Sequence, residues 1–141
     1  MSRQTVARIQ NVSITSLQFP LPETEPPRFL LTPSSPSFAV EGTDFTVNWT
    51  YTLDGGLIAV GFFNVTKTGD DPIGSRDGPG KINSTQKYEA RFRAQAGNNR
   101  AELKILAVQL SDEATYKLTV VSSSGKLFLS NSAEVIVHCK Y

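Results

Sequence analysis

Residues 103–118 read Leu103-Lys-Ile105-Leu-Ala-Val108-Gln-Leu-Ser-Asp112-Glu-Ala114-Thr-Tyr116-Lys-Leu118. Leu103 and Ile105 alternate as one buried face of a strand does. Val108 follows after a short break, and Asp112, Ala114, Tyr116 and Leu118 then stand two residues apart. Two strands joined by a corner are predicted here, with Tyr116 and Leu118 inward on the second and Lys117, Thr119 and Val121 outward.

The flanking sequence follows the same pattern. From Glu41 onward, short apolar runs are separated by turn residues, and helical periodicity is absent. Phe45, Val47, Trp49 and Tyr51 alternate inward against Thr46, Asn48 and Thr50. Asp54-Gly55-Gly56 signals a turn, and residues 57–65 form the next strand, with Phe63 on its outward side. Residues 67–80 are rich in Gly, Asp and Pro and are predicted to hold a short strand near Ile73 and mobile loops. Further strands are predicted over 88–94, 101–106, 115–121 and 133–138, with turns at 97–99 and 122–125. Regular short strands with turns between them predict an all-β sandwich.

Six of the eight prolines lie between Pro20 and Pro36. Proline lacks an amide donor, so this stretch is neither helix nor central strand. It reads as a leader running into an edge strand whose halves, 29–31 and 38–40, are broken at 32–36. Residues 1–27 are assigned to an N-terminal leader or linker and 28–141 to one domain. Val12, Ile14 and Leu17 hint at a strand, and a disordered linker fits residues 1–27 equally well.

The chain has 141 residues, enough for one domain with a core of its own. Its net charge is +1 with no basic stripe, which argues against nucleic acid as a partner. No window approaches 18 uncharged apolar residues, so no membrane contact is expected of this segment itself. The N-terminus lacks the apolar run of a secretory signal, which leaves a removed signal, a fragment or a non-secreted chain open. Cys139 is the only cysteine, so no internal disulfide forms, and composition alone favours a reducing compartment. Four N-x-S/T sequons pull the other way, at Asn11, Asn48, Asn64 and Asn83. Each is a candidate glycosylation site, and together they favour an extracellular chain.

Residues 29–139 resemble an immunoglobulin-superfamily domain of the variable (V-set) type, a Greek-key β-sandwich. In that family the corner tyrosine stands two residues before the second cysteine of an inter-sheet disulfide. Tyr116 matches the tyrosine, and Leu118 stands in place of the cysteine. Trp49 stands in place of the first cysteine, and Phe62 is the better volume match for the family's buried tryptophan. The resemblance thus implies a structural core of Trp49, Phe62, Leu118 and Tyr116 in place of the bond. Losing such a bond costs about 2–5 kcal/mol, and burying aromatic side chains contributes about 1.5–3 kcal/mol each. The resemblance also implies a salt bridge between Arg91 and Asp112. The span between the strands at 57–65 and 101–106 leaves room for the two extra strands of a variable-type domain. The last strand lacks the G-x-G bulge of antibody variable domains. The pattern is similar to immunoglobulin-like domains of invertebrate recognition receptors, cnidarian allorecognition proteins included.

No catalytic constellation, cofactor motif or metal cluster is legible. His138 and Cys139 are neighbours, and adjacent strand residues point to opposite faces, which defeats a Cys–His nucleophile. They read instead as the edge of a linker, with Cys139 free to pair with another domain or chain. Asp70, Asp71 and Asp77 lack calcium-loop spacing, and Gly78-Pro79-Gly80 lacks the lysine and helix of a phosphate loop. Arg91, Arg93 and Arg100 alternate with core residues and read as structural or solvated.

The expected function is a non-enzymatic recognition or adhesion module of a cell-surface, membrane-anchored receptor. Its partner is expected to be a protein, a second copy of itself included, bound through the front sheet. The candidate interface is Phe63, Lys117, Thr119 and Val121. The alternative is an intracellular structural domain of the muscle-filament type, where such domains also live without disulfides.

Overall fold

The structure, a computed structural model, describes residues 26–123 and 128–140. The Asn11 sequon, the hint of a strand at Val12, Ile14 and Leu17, and part of the turn at 122–125 lie outside the described residues. Ten strands are described: β1 Arg28–Leu31, β2 Ser37–Val40, β3 Phe45–Thr52, β4 Leu57–Thr66, β5 Gly69–Asp77, β6 Asn83–Ser84, β7 Phe92–Ala96, β8 Arg100–Ile105, β9 Ala114–Ser122 and β10 Phe128–His138. They form a four-stranded sheet, β1-β3-β8-β7, and a six-stranded sheet, β2-β10-β9-β4-β5-β6.

Alternation dictates the core between the sheets. On β3, Val47, Trp49 and Tyr51 are buried while Asn48 is exposed. On β8, Ala101, Leu103 and Ile105 are buried, and on β9 Tyr116, Leu118 and Val120. Trp49, Phe62 and Leu118 are fully enclosed. Phe62 is in register with Leu118, and the Trp49 ring meets the Phe62 ring edge-on at 6.2 Å. Indole N–H groups need a partner when buried. Trp49 Nε1 donates to Asn131 Oδ1 at 2.9 Å, joining β3 to β10 across the sandwich.

The corner between β8 and β9 is tied by polar bonds. Tyr116 Oη donates to the Asp112 carbonyl at 2.5 Å. Asp112 is 6% exposed, and its two carboxylate oxygens each accept from Arg91 at 2.7 Å. Ala107 takes a left-handed φ of 46° just before the corner, where its N–H donates to Asp44 at 2.9 Å.

Four expected boundaries differ from those observed. The halves of the first edge strand join different sheets: β1 pairs antiparallel with β3, and β2 pairs parallel with β10. The interruption at 32–36 is therefore a crossing from sheet to sheet. Residues 67–80 hold a nine-residue strand rather than a short one, because the register skips a residue opposite Phe62 and Phe63. That irregularity accommodates Pro72, which has no N–H to give to a ladder. The strand expected over 88–94 begins at Phe92. Tyr88 instead closes a turn by donating its N–H to the Thr85 carbonyl at 3.0 Å. The last strand begins at Phe128, five residues before the expected Ala133.

Candidate protein-binding face

The outer face of the six-stranded sheet is built chiefly by β4, β9 and β10. Pairing sets Phe63 opposite Lys117, Gly61 opposite Thr119, and Ala59 opposite Val121. Val121 is in turn opposite Phe128 on β10. Because paired residues share a face, Phe63, Lys117, Thr119, Val121 and Phe128 gather on one surface.

Phe63 does not stand free there, as the sequence suggested. It is half-buried, with its ring laid back over Gly61. A Cβ on Gly61 would lie 2.8 Å from Phe63 Cε2, so the ring occupies the space a side chain would need. Lys117 Nζ sits 5.6 Å from the ring centroid and also pairs with Asp70. The cation over the ring and the carboxylate beside it hold the polar margin of the patch. Phe128 is the most open aromatic on this face, 65% exposed. The sequence reading missed it because it placed the strand's start beyond this residue. The alternation of Phe128 with Ser130 and Ser132, outward against buried Ala133 and Val135, is the signal that was available.

The outer face of the four-stranded sheet is different in chemistry. Thr46, Asn48 and Thr50 on β3 lie opposite Lys104, Glu102 and Arg100 on β8. Arg100 pairs with Glu102 at 2.6 Å. That face is polar and charged along β3 and β8, with exposed Leu31 on β1 opposite Thr50 at its edge.

The candidate glycosylation sites fall in unlike places. Asn48 is exposed on the polar face, and Asn83 is exposed on edge strand β6. Asn64 alternates with outward Phe63, and its Nδ2 donates to Tyr88 Oη at 3.3 Å. That bond uses one of the nitrogen's two hydrogens, and a glycan on Asn64 would take the place of the other.

Residues that carry titratable chemistry are engaged structurally. Tyr88 Oη donates to Asp71 at 2.5 Å, and Lys87 Nζ donates to it at 2.8 Å. The Lys87 and Tyr88 hydrogen bonds hold the Asp71 carboxyl below its usual range. Burial pushes Tyr51 up to about 12, and its hydroxyl donates to the carbonyls of Gly97 and Arg100. Burial also raises Tyr116. His138 stacks on Phe38 with centroids 5.2 Å apart, and Cys139 is exposed. Among the described residues, no three His, Cys, Asp or Glu side chains gather as metal ligands, and no helix is long and apolar enough to cross a membrane.

No protein-family model matches the sequence, and no curated protein matches it. Solved structures are similar in shape. A murine CRIg structure is 21% identical over 79% of this chain and 98% of that one, with a TM-score of 0.66. A chicken TCR structure is 15% identical over 81% of this chain and 50% of that one, TM-score 0.64. Titin domains Z1Z2, solved in complex with telethonin, are 20% identical over 83% of this chain and 50% of that one, TM-score 0.57. These are immunoglobulin-like domains, and at such identities the likeness establishes the immunoglobulin-like β-sandwich and nothing finer.

Proposed function

We propose that this chain is a non-enzymatic recognition module of the variable type, working outside the cell as part of a membrane-anchored receptor. It binds a protein, a second copy of itself included, through the outer face of the six-stranded sheet. One observation carries this reading: Phe63 and Phe128 share an outer face with Val121 and a Lys117–Asp70 margin, while β3 and β8 on the opposite face present threonines, Asn48 and the charges of Arg100, Glu102 and Lys104. An apolar centre with a polar rim is the ordinary anatomy of a protein interface. Strands β5 and β6 support the variable-type assignment. The exposed sequon at Asn48 lies on the opposite sheet and that at Asn83 on edge strand β6 of the binding sheet, and both support an extracellular setting.

Sedimentation velocity of the purified chain, with a binding screen against cell-surface ectodomains, tests the reading. The Phe63→Asp/Phe128→Asp protein is expected to lose self-association or partner binding while keeping its circular dichroism spectrum. Association and binding equal to the natural chain would refute it.

The competing reading is an intracellular filament domain. The lack of a cysteine pair and the titin neighbours favour it. Endoglycosidase-sensitive mass on the protein from its own cells would decide for the extracellular setting, and an unmodified mass for the filament domain.

A further inference from the structure

The sandwich is open along one side, where edge strand β6 of one sheet faces edge strand β7 of the other. A groove of about 530 Å³ runs there, within the usual size of a small-molecule site. Its wall is apolar where Ile82, Phe92 and Ala94 line it, and basic where Arg76, Lys81 and Arg93 do. Among the described residues, no carboxylate lines it.

Among the described residues, none of the three cations is paired with an anion. Arg76 is in register with buried Val60, which sets it on the inward side of its sheet. Its Nη1 donates to the Gly80 carbonyl at 3.0 Å, and its Nε is shut from water with no partner among the described residues. Arg93 Nη1 donates to the carbonyls of Glu89 and Phe92, at 2.8 and 3.1 Å. Lys81 makes no ion pair or hydrogen bond among the described residues. A guanidinium half withdrawn from water with no counter-charge is costly, and an anion in the groove would offset that cost. Neutral ligands would leave the charge unanswered, and a bare anion would leave the apolar wall uncovered.

From this juxtaposition we infer that the groove between β6 and β7 is a binding site for a small anion, sulfate or carboxylate, carried on an apolar body. The anion meets Arg76 with Lys81 and Arg93, and the apolar body lies on Ile82, Phe92 and Ala94. The site is separate from the protein-binding face and independent of that proposal.

Octyl sulfate is the probe, titrated below its micelle concentration into the isotopically labelled chain. Backbone amide shifts are expected to concentrate at residues 81–84 and 92–96. Lys81→Gln/Arg93→Gln removes two exposed cations and is expected to keep the urea midpoint while weakening octyl sulfate by about tenfold or more. Arg76→Gln is the second variant, with the same expectation for binding. Inorganic sulfate and octyl glucoside are each expected to bind at least about tenfold more weakly than octyl sulfate. Shifts scattered over the surface, undiminished binding by a folded variant, or equal binding of either control would overturn the inference.

Discussion

The Arg91–Asp112 pair offers the sharpest test of how the sandwich is held at its corner. Arg91 Nη1 and Nη2 each reach the carboxylate at 2.7 Å, and the Gln109 N–H adds a third bond at 2.7 Å. The Arg91 side chain is 30% exposed and the Asp112 side chain 6%. Two charge-assisted bonds contribute about 1.5–3 kcal/mol each before desolvation. Withdrawing Asp112 from water offsets part of that, leaving a net coupling of about 2–3 kcal/mol. An exposed pair would give about 0–1 kcal/mol. Arg91→Gln strands a buried carboxylate and is expected to cost about 3–5 kcal/mol at neutral pH. Asp112→Asn leaves Arg91 able to turn toward water and is expected to cost less, about 1–3 kcal/mol. Burial raises the Asp112 pKa, but the Arg91 and Gln109 hydrogen bonds and the Arg91 charge outweigh it, and the net direction is down. A lowered folded-state value adds stability that is present above the unfolded value of about 3.9 and lost as pH falls through the folded one. Urea denaturation of the natural chain, both single variants and the double variant gives the coupling by difference. The expected coupling shrinks between pH 7 and pH 3. A coupling below about 1 kcal/mol at pH 7 would place this pair among ordinary surface pairs and refute the reasoning.

Asn131→Leu strands the Trp49 indole N–H and is expected to cost about 1–3 kcal/mol in urea unfolding, with Trp49→Phe/Asn131→Leu less destabilised than the single loss. Gly61→Ala is expected to swing the Phe63 ring off β4 at a cost below about 1.5 kcal/mol, since only the ring's far edge must move. Loss of the upfield ring-current shifts of residue 61 and its neighbours would show it, and an unmoved ring would contradict the contact. Raised pKa values keep Tyr51 and Tyr116 protonated as folded donors, so their stabilisation is present below the unfolded value and lost as pH rises through the folded one. Ring NMR shifts of Tyr51 and Tyr116 are expected to show both ionising only with unfolding, and free titration of either near about pH 10 in the folded chain would count against it.

Much of the architecture was legible because burial in a sandwich repeats every second residue. Trp49, Tyr51, Leu103, Ile105, Tyr116 and Leu118 all alternate in sequence and are all buried. The reading failed where long-range pairing overrode local composition. Residues 69–77 look like loop, with Gly, Asp and Pro, yet β4 supplies a ladder along almost their whole length. Phe128 was missed as a surface residue, despite its alternation with Ser130 and Ser132, because strand starts are set by partner strands, here β9. The outward side of Phe63 was legible, but its collapse onto Gly61 was not, since that depends on a missing side chain two residues away. The groove between β6 and β7 was equally hidden. Arg76 lies 17 residues from Arg93 in sequence, and only the two sheet edges bring them together.

The Trp49–Asn131 bond and its surrounding core have a consequence for the chain before it folds. A disulfide between positions 49 and 118 would shorten the unfolded ensemble by closing a loop of roughly 70 residues, worth about 4 kcal/mol in the entropy model. This chain carries no such tether, so its denatured state explores the full conformational space and its closure has no reduction potential. Dithiothreitol is expected to leave the melting of the monomer unchanged, because the single Cys139 closes no bond within the chain. The inter-sheet core therefore holds by packing and one indole hydrogen bond, whatever the redox state of its surroundings.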